Sequence, residues 1–149
     1  MKETPAAMFS VPDGFPPPPG PHVKVCGLTR AEDASLALEF GAAFLGLIFA
    51  RESPRCLSLE QAEGLAAAVR EKRPEARFVG VFVESGTEEI AGAVERLGLA
   101  AVQLHAPPPG AAPFSVPSVP AFRMRGPERG PEIEAALARG PVLLDAYHP

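Results

Sequence analysis

The sequence predicts an α/β fold of parallel strands and helices, of the parallel (βα)8 TIM-barrel class but incomplete, with about six βα units. Three observations lead there. Short apolar runs of strand length alternate with longer amphipathic stretches of helix length. The polar residues that stand out are Cys26, Arg51, Arg55, Glu84, His105, Arg123 and Asp145. They fall at or just beyond the C-terminal ends of the apolar runs, the rim on which a barrel carries its chemistry. The G-x-G-x-x-G turn that would favour an open dinucleotide-binding sheet is absent after the first run.

Each element has a local reason. Val23 to Leu28 reads as the first strand, and Thr29-Arg30-Ala31-Glu32 as a capping box opening a helix through Ala34, Leu36, Ala37, Leu38 and Phe40. Gly41 closes that helix. Ala43 to Phe49 is a continuous apolar run, as in a strand covered on both faces. Ser58-Leu59-Glu60-Gln61 is a second capping box, and its helix turns Leu59, Ala62, Leu65, Ala66 and Val69 to one side before Pro74. Arg77 to Val83 is the third strand. Thr87 or Ser85 caps a third helix with Ile90, Ala93, Val94 and Leu97 inward, ending at Gly98. Ala100 to His105 and Val119 to Met124 are strands, a short helix runs from about Glu128 to Arg139, and Pro141 to Ala146 is the sixth strand. Full barrels run from ~200 residues upward, so eight units do not fit in 149.

Proline divides the chain. Fifteen of the nineteen prolines lie between Pro5 and Pro21 or between Pro107 and Pro131. Pro16 to Pro19 cannot be helical, because each ring fixes φ and removes a donor. Residues 1–22 are therefore expected to be a disordered arm, or alternatively an arm docked in a groove, with residues 23–149 forming the partial barrel domain. The second stretch leaves no room for a regular helix after the fourth strand.

Composition narrows the partners. A net charge of −4 without a basic cluster speaks against nucleic acid. No run approaches the ~18 apolar residues of a membrane span, and the first residues lack the order of a secretory signal. With two cysteines, Cys26 and Cys56, the expected compartment is a reducing cytoplasm.

Val23-Lys24-Val25-Cys26-Gly27-Leu28-Thr29 resembles the opening strand of phosphoribosylanthranilate isomerase, an enzyme of tryptophan biosynthesis. The resemblance continues through Gly41 to Phe49, Ser53-Pro54-Arg55, Val79-Gly80-Val81-Phe82, Val102-Gln103-Leu104-His105 and Leu143-Leu144-Asp145-Ala146, in the family's order. It implies a (βα)8 barrel and an Amadori rearrangement of N-(5-phosphoribosyl)anthranilate to 1-(2-carboxyphenylamino)-1-deoxyribulose 5-phosphate. Its partner would be that small phosphosugar–anthranilate substrate, with no metal and no organic cofactor. Cys26 matches the family's general base and Asp145 its general acid; Arg55 matches the residue that pairs with the anthranilate carboxylate, and Gln103 and His105 match polar residues of the pocket. Such chemistry needs an acid and a base of different strength on one rim.

On residue type alone each has another reading. Cys26 and Cys56 could be small buried apolar groups, Asp145 a turn cap, His105 a structural imidazole, and Arg55, Arg123 and Arg125 solvated cations. Indole-glycerol-phosphate synthase, a related phosphate-binding barrel, would carry a catalytic lysine where Cys26 stands. The family's Gly-rich loop and strands seven and eight have no counterpart after Asp145. The chain is therefore expected to be truncated, as a gene fragment, a frameshifted product or a short protein in its own right. It should lack the phosphate loops, be weakly active alone, and expose the edges of its first and sixth strands to self-association. The rival function is an inactive barrel fragment acting as a subunit or interaction module.

Overall fold

A computed structural model describes residues 21–105, 114–124 and 130–146. The chain alternates through β1 (Lys24–Cys26), α1 (Ala31–Glu39), β2 (Phe44–Ile48), α2 (Leu59–Lys72), β3 (Phe78–Phe82), α3 (Thr87–Leu97), β4 (Ala101–Leu104), β5 (Ser118–Met124), α4 (Gly130–Leu137) and β6 (Leu143–Ala146). All six strands lie in sequence order, each parallel to its neighbour. Lys24 on β1 donates to Gln103 on β4. In a flat sheet those strands would be roughly 14 Å apart, so the contact belongs to a sheet curled as part of a barrel. The arm expected over residues 1–22 lies, up to residue 20, outside the described residues, as do residues 106–113 and 125–129 of the second proline-rich stretch.

Parallel strands send alternate side chains to opposite faces. The convex series includes Leu45, Leu47, Phe78, Phe82, Val102 and Leu104, all buried in one core cluster. That cluster receives Ala34 of α1, Ala62, Leu65, Ala66 and Val69 of α2, and Ile90, Ala93, Val94 and Leu97 of α3. The helix faces expected of α2 and α3 are thus the faces that pack. Arg70 of α2 adds a polar tie: its guanidinium donates to the carbonyls of Leu97 (2.6 Å) and Gly98 (3.0 Å) at the end of α3 and lies 4.9 Å from the Phe78 ring centre. Burial holds the Arg70 pKa below its ordinary value.

Helix ends separate the expected caps into those that form and those that do not. At α2 the capping box is complete, Ser58 Oγ accepting from the Gln61 amide at 3.1 Å and Gln61 Oε1 from the Ser58 amide at 2.9 Å. At α1 the box expected at Thr29 is absent. The chain stays extended through Arg30 (φ −132°, ψ 141°), which becomes the N-cap, and Glu32 sits 3.5 Å from the Arg30 guanidinium instead. At α3 the cap is Gly86, not Thr87 or Ser85. The α1 C-terminus closes as a Schellman turn: Gly41 (φ +88°) and Ala42 donate to the carbonyls of Leu38 and Ala37 at 3.0 and 2.9 Å. A left-handed φ there is the reason for glycine. Leu36 and Phe40 of α1 are 52% and 85% exposed.

After β4 the described chain, residues 114–117, is not helical, and Phe114 and Val116 pack on the core cluster that includes Val102 and Leu104. Among the described residues α4 buries no side chain, and no helix is long and apolar enough to cross a membrane. Ser58→Ala should lower unfolding stability by about 1 kcal/mol, whereas Thr29→Ala should stay within about 0.5 kcal/mol of the parent. Urea titrations of both variants check the difference.

Candidate active site

The concave series is read from the register. Cys26 pairs with Gly46, Gly46 with Val79, Val81 with Gln103, Gln103 with Val119, Ala121 with Leu143, and Arg123 with Asp145. Cys26, Gln103, Arg123 and Asp145 therefore share one face, with Lys24 two residues before Cys26 and His105 two residues after Gln103.

Two glycines make room at the mouth of β1. A Cβ on Gly46 would lie 2.7 Å from Cys26 Sγ and 3.0 Å from its Cα, so only glycine lets the thiol sit over β2. Gly27 has φ +78°, and a Cβ there would meet Arg55 Nη1 at 2.5 Å. Arg55 comes from the loop after β2, which turns back through Cys56 N–H to Ser53 O (3.0 Å) and Leu57 N–H to Ile48 O (2.8 Å). Its side chain crosses Gly27 and donates from Nη1 to the Cys26 carbonyl at 3.1 Å, leaving the exposed guanidinium beside β1.

Gln103 is buried, with both ends of its amide engaged. Oε1 accepts from Lys24 Nζ, and Nε2 lies 2.9 Å from His105 Nε2. The His105 pKa is lowered, first by burial, then by Arg123; Asp145 opposes this and Lys24 adds to it. Lys24, Arg123 and Asp145 are thus the charged groups whose fields reach the imidazole. His105 Nδ1 is buried and has no hydrogen-bond partner among the described residues.

Next to this group a cleft of about 840 Å³ opens at the ends of β2, β3 and β5, lined by Arg51, Ser53, Glu84, Ser85, Glu89 and Arg123 among others. Glu84 holds φ +53° there, a backbone state few side chains adopt. None of Cys26, Arg55, Gln103, His105 or Asp145 lines the cleft. The structure thus joins Lys24, Gln103 and His105 by direct contact, and Cys26 to Arg55 through a backbone carbonyl. Lys24 carried no expected role, although its spacing of two from Cys26 is the period that puts both on one strand face. Among the described residues no group of three or more His, Cys, Asp or Glu is positioned to hold a metal ion.

The sequence model of one family, N-(5'-phosphoribosyl)anthranilate (PRA) isomerase, matches residues 23–117. The chain belongs to the PRA isomerase family. It is 44% identical over 133 residues to the N-(5'-phosphoribosyl)anthranilate isomerase of Myxococcus xanthus, covering 86% of this chain and 61% of that protein. With the Symbiobacterium thermophilum isomerase it shares 44% over 130 residues, 84% of this chain and 55% of the relative. The Thermotoga maritima phosphoribosyl anthranilate isomerase superposes with a TM-score of 0.74 at 32% identity, over 86% of this chain and 62% of that one. A phosphoribosyl anthranilate isomerase solved with reduced 1-(o-carboxyphenylamino)-1-deoxyribulose 5-phosphate gives a TM-score of 0.73 at 32% identity, over 85% and 65%. This member of the family thus spans less than two thirds of the length of these relatives.

Because His105 is favoured neutral in the fold, it contributes stability that is present above the ordinary histidine pKa near ~6.5 and is lost as pH falls through its lower folded value. Urea midpoints should therefore fall on acidification below about pH 6.5, and by less in His105→Gln. An equal fall in both proteins would show that other groups govern the acid limb.

Proposed function

We propose that the chain is a cytoplasmic PRA isomerase, converting N-(5-phosphoribosyl)anthranilate to 1-(2-carboxyphenylamino)-1-deoxyribulose 5-phosphate in tryptophan biosynthesis. Family membership supports the reaction class, and the complex with the reduced product analogue, formed by a related protein, supports the substrate class. The observation that carries the assignment of residues is the register, which makes Cys26 and Asp145 members of the same concave series.

In this reading Asp145 gives a proton to the ribose ring oxygen, and the C1–O bond opens to an iminium. Cys26, as thiolate, then takes the proton from C2, and the electron pair left behind neutralises the iminium nitrogen. The resulting enolamine tautomerises to the amino ketone. A thiol with a pKa near ~8.5 needs only a modest shift to act as base near neutrality. A carboxyl must be kept protonated by its surroundings, and an anionic substrate on the same face works in that direction. Arg55 offers the planar donor pair that suits a carboxylate. Gln103 and His105 line the pocket beside the sugar.

A second reading, a subunit that self-associates or pairs with another chain through its sheet edges, is favoured by one observation. Among the described residues β1 and β6 end the sheet, and Val23 and Leu144 beside those edges are 60% and 56% exposed. Sedimentation velocity tests the self-association: a sedimentation coefficient that rises with protein concentration supports it, and a single monomeric species at all concentrations excludes it.

The enzyme reading is tested by incubating the purified chain with N-(5-phosphoribosyl)anthranilate and following product by chromatography. Cys26→Ala and Asp145→Asn should each lower kcat by about 10²–10⁴-fold, while Arg55→Ala should mainly raise KM, by about tenfold or more. Unchanged rates in the first two variants, or no product from the parent, would refute the assignment.

A further inference from the structure

The Lys24–Gln103–His105 line holds more information than three pocket contacts. An ammonium has protons and no lone pair, so the Gln103 atom facing Lys24 must be the carbonyl Oε1. The other end of the amide, Nε2, is then a donor, and the His105 nitrogen 2.9 Å from it must accept. In a neutral imidazole with Nε2 accepting, the proton sits on Nδ1. That Nδ1 is buried and, among the described residues, meets no acceptor. Buried donors are nearly always satisfied, so one left open on the concave face is a place for a ligand atom.

We propose that Lys24 is a positioning residue: through Gln103 it fixes His105 in the Nδ1–H tautomer, which then donates to an oxygen of the bound substrate. The final step rests on the isomerase reading, whereas the tautomer itself does not. Three elements besides His105's own carry charge toward the ring: Lys24 on β1, Arg123 on β5 and Asp145 on β6. Burial first, then Arg123 and Lys24, disfavour the charged ring, and with two of the three groups cationic the open donor lies in a field that suits an oxygen acceptor with partial or full negative charge. The arrangement also explains why a glutamine is buried here: a residue with both a donor and an acceptor end can transmit the orientation imposed by a cation to a ring. A carboxylate in its place would accept at both ends and demand a proton on His105 Nε2.

Nitrogen-15 NMR of histidine-labelled protein reads this directly, with His105→Asn identifying the signal among the three histidines. At pH 7.5 the parent is expected to carry an Nδ1–H, Nε2-unprotonated ring. Lys24→Met should release the amide and mix the tautomers, while Lys24→Arg, which still donates, should preserve the parent pattern. If Lys24→Met does not fold, Gln103→Glu supplies the second reading, and its ring should gain a proton on Nε2. An Nε2–H ring in the parent, or an unchanged ring in both Lys24→Met and Gln103→Glu, overturns the relay. In the isomerase assay, Lys24→Met should lower kcat/KM at least tenfold, with Lys24→Arg recovering most of the loss. A changed tautomer with unchanged kcat/KM overturns the role toward substrate. If the parent makes no product while the tautomers behave as described, the isomerase reading fails and the relay stands.

Discussion

Lys24 and Gln103 meet across the inside of the sheet from strands three places apart, and the rest of the mouth is organised around that contact. It requires both residues on the concave face, and β1 has three paired residues with which to secure this: Lys24, Val25 and Cys26 opposite Phe44, Leu45 and Gly46. A slip of one position would turn Val25 inward and send Lys24 and Cys26 among the helices. Leu45 guards the register by being wholly buried in the helix-facing core, and Gly46 guards it from the other side, because only there does the backbone make room for the Cys26 sulfur. Hydrophobic packing on one face thus holds polar geometry on the other.

Arg55 depends on the same few residues. Its reach to the Cys26 carbonyl needs a bare backbone at Gly27 and the tight return of the chain from Ser53 to Leu57. Seven consecutive residues, Val23 to Thr29, therefore position a thiol, an ammonium group and a guanidinium that arrives from another loop. The first strand is short, but much of the mouth's geometry rests on it.

The strand order and the inward faces of α2 and α3 were legible in the sequence because they follow from one periodic signal each, apolar runs for buried strands and i, i+3, i+4 spacing for helices. The Ser58 cap was legible too, since donor and acceptor lie within one local box. The Thr29 box has the same letters and fails, because residues at a helix entrance also answer to the strand before it; the chain leaves β1 through Gly27 and remains extended one residue further. Leu36 and Phe40 look like core residues by type, yet α1 lies at the edge of the sheet and they stay exposed. In the site, Cys26, Arg55, Gln103, His105 and Asp145 could be named from local motifs. Lys24 could not, and Arg123 stood out only as a cation on the rim, because what matters for Lys24 is a contact with a strand far off in the chain and for Arg123 its field at His105.

The helices that cover the sheet are unevenly tied to it and to one another. Arg70 ties α2 to the end of α3, and a bidentate pair, Arg96 to Glu63 at 2.8 and 2.6 Å, joins the same two helices on the outside. At the other end α4 buries no side chain among the described residues. Local opening is favoured where few apolar groups are covered, and the helix before β6 covers none among the described residues. Asp145 lies on β6, beside that sparsely covered helix, and Cys26 on β1, at the opposite end of the described sheet. On the isomerase reading, the spacing between Cys26 and Asp145 is therefore the dimension most exposed to whatever, in a cell or a test tube, braces the far side of the sheet.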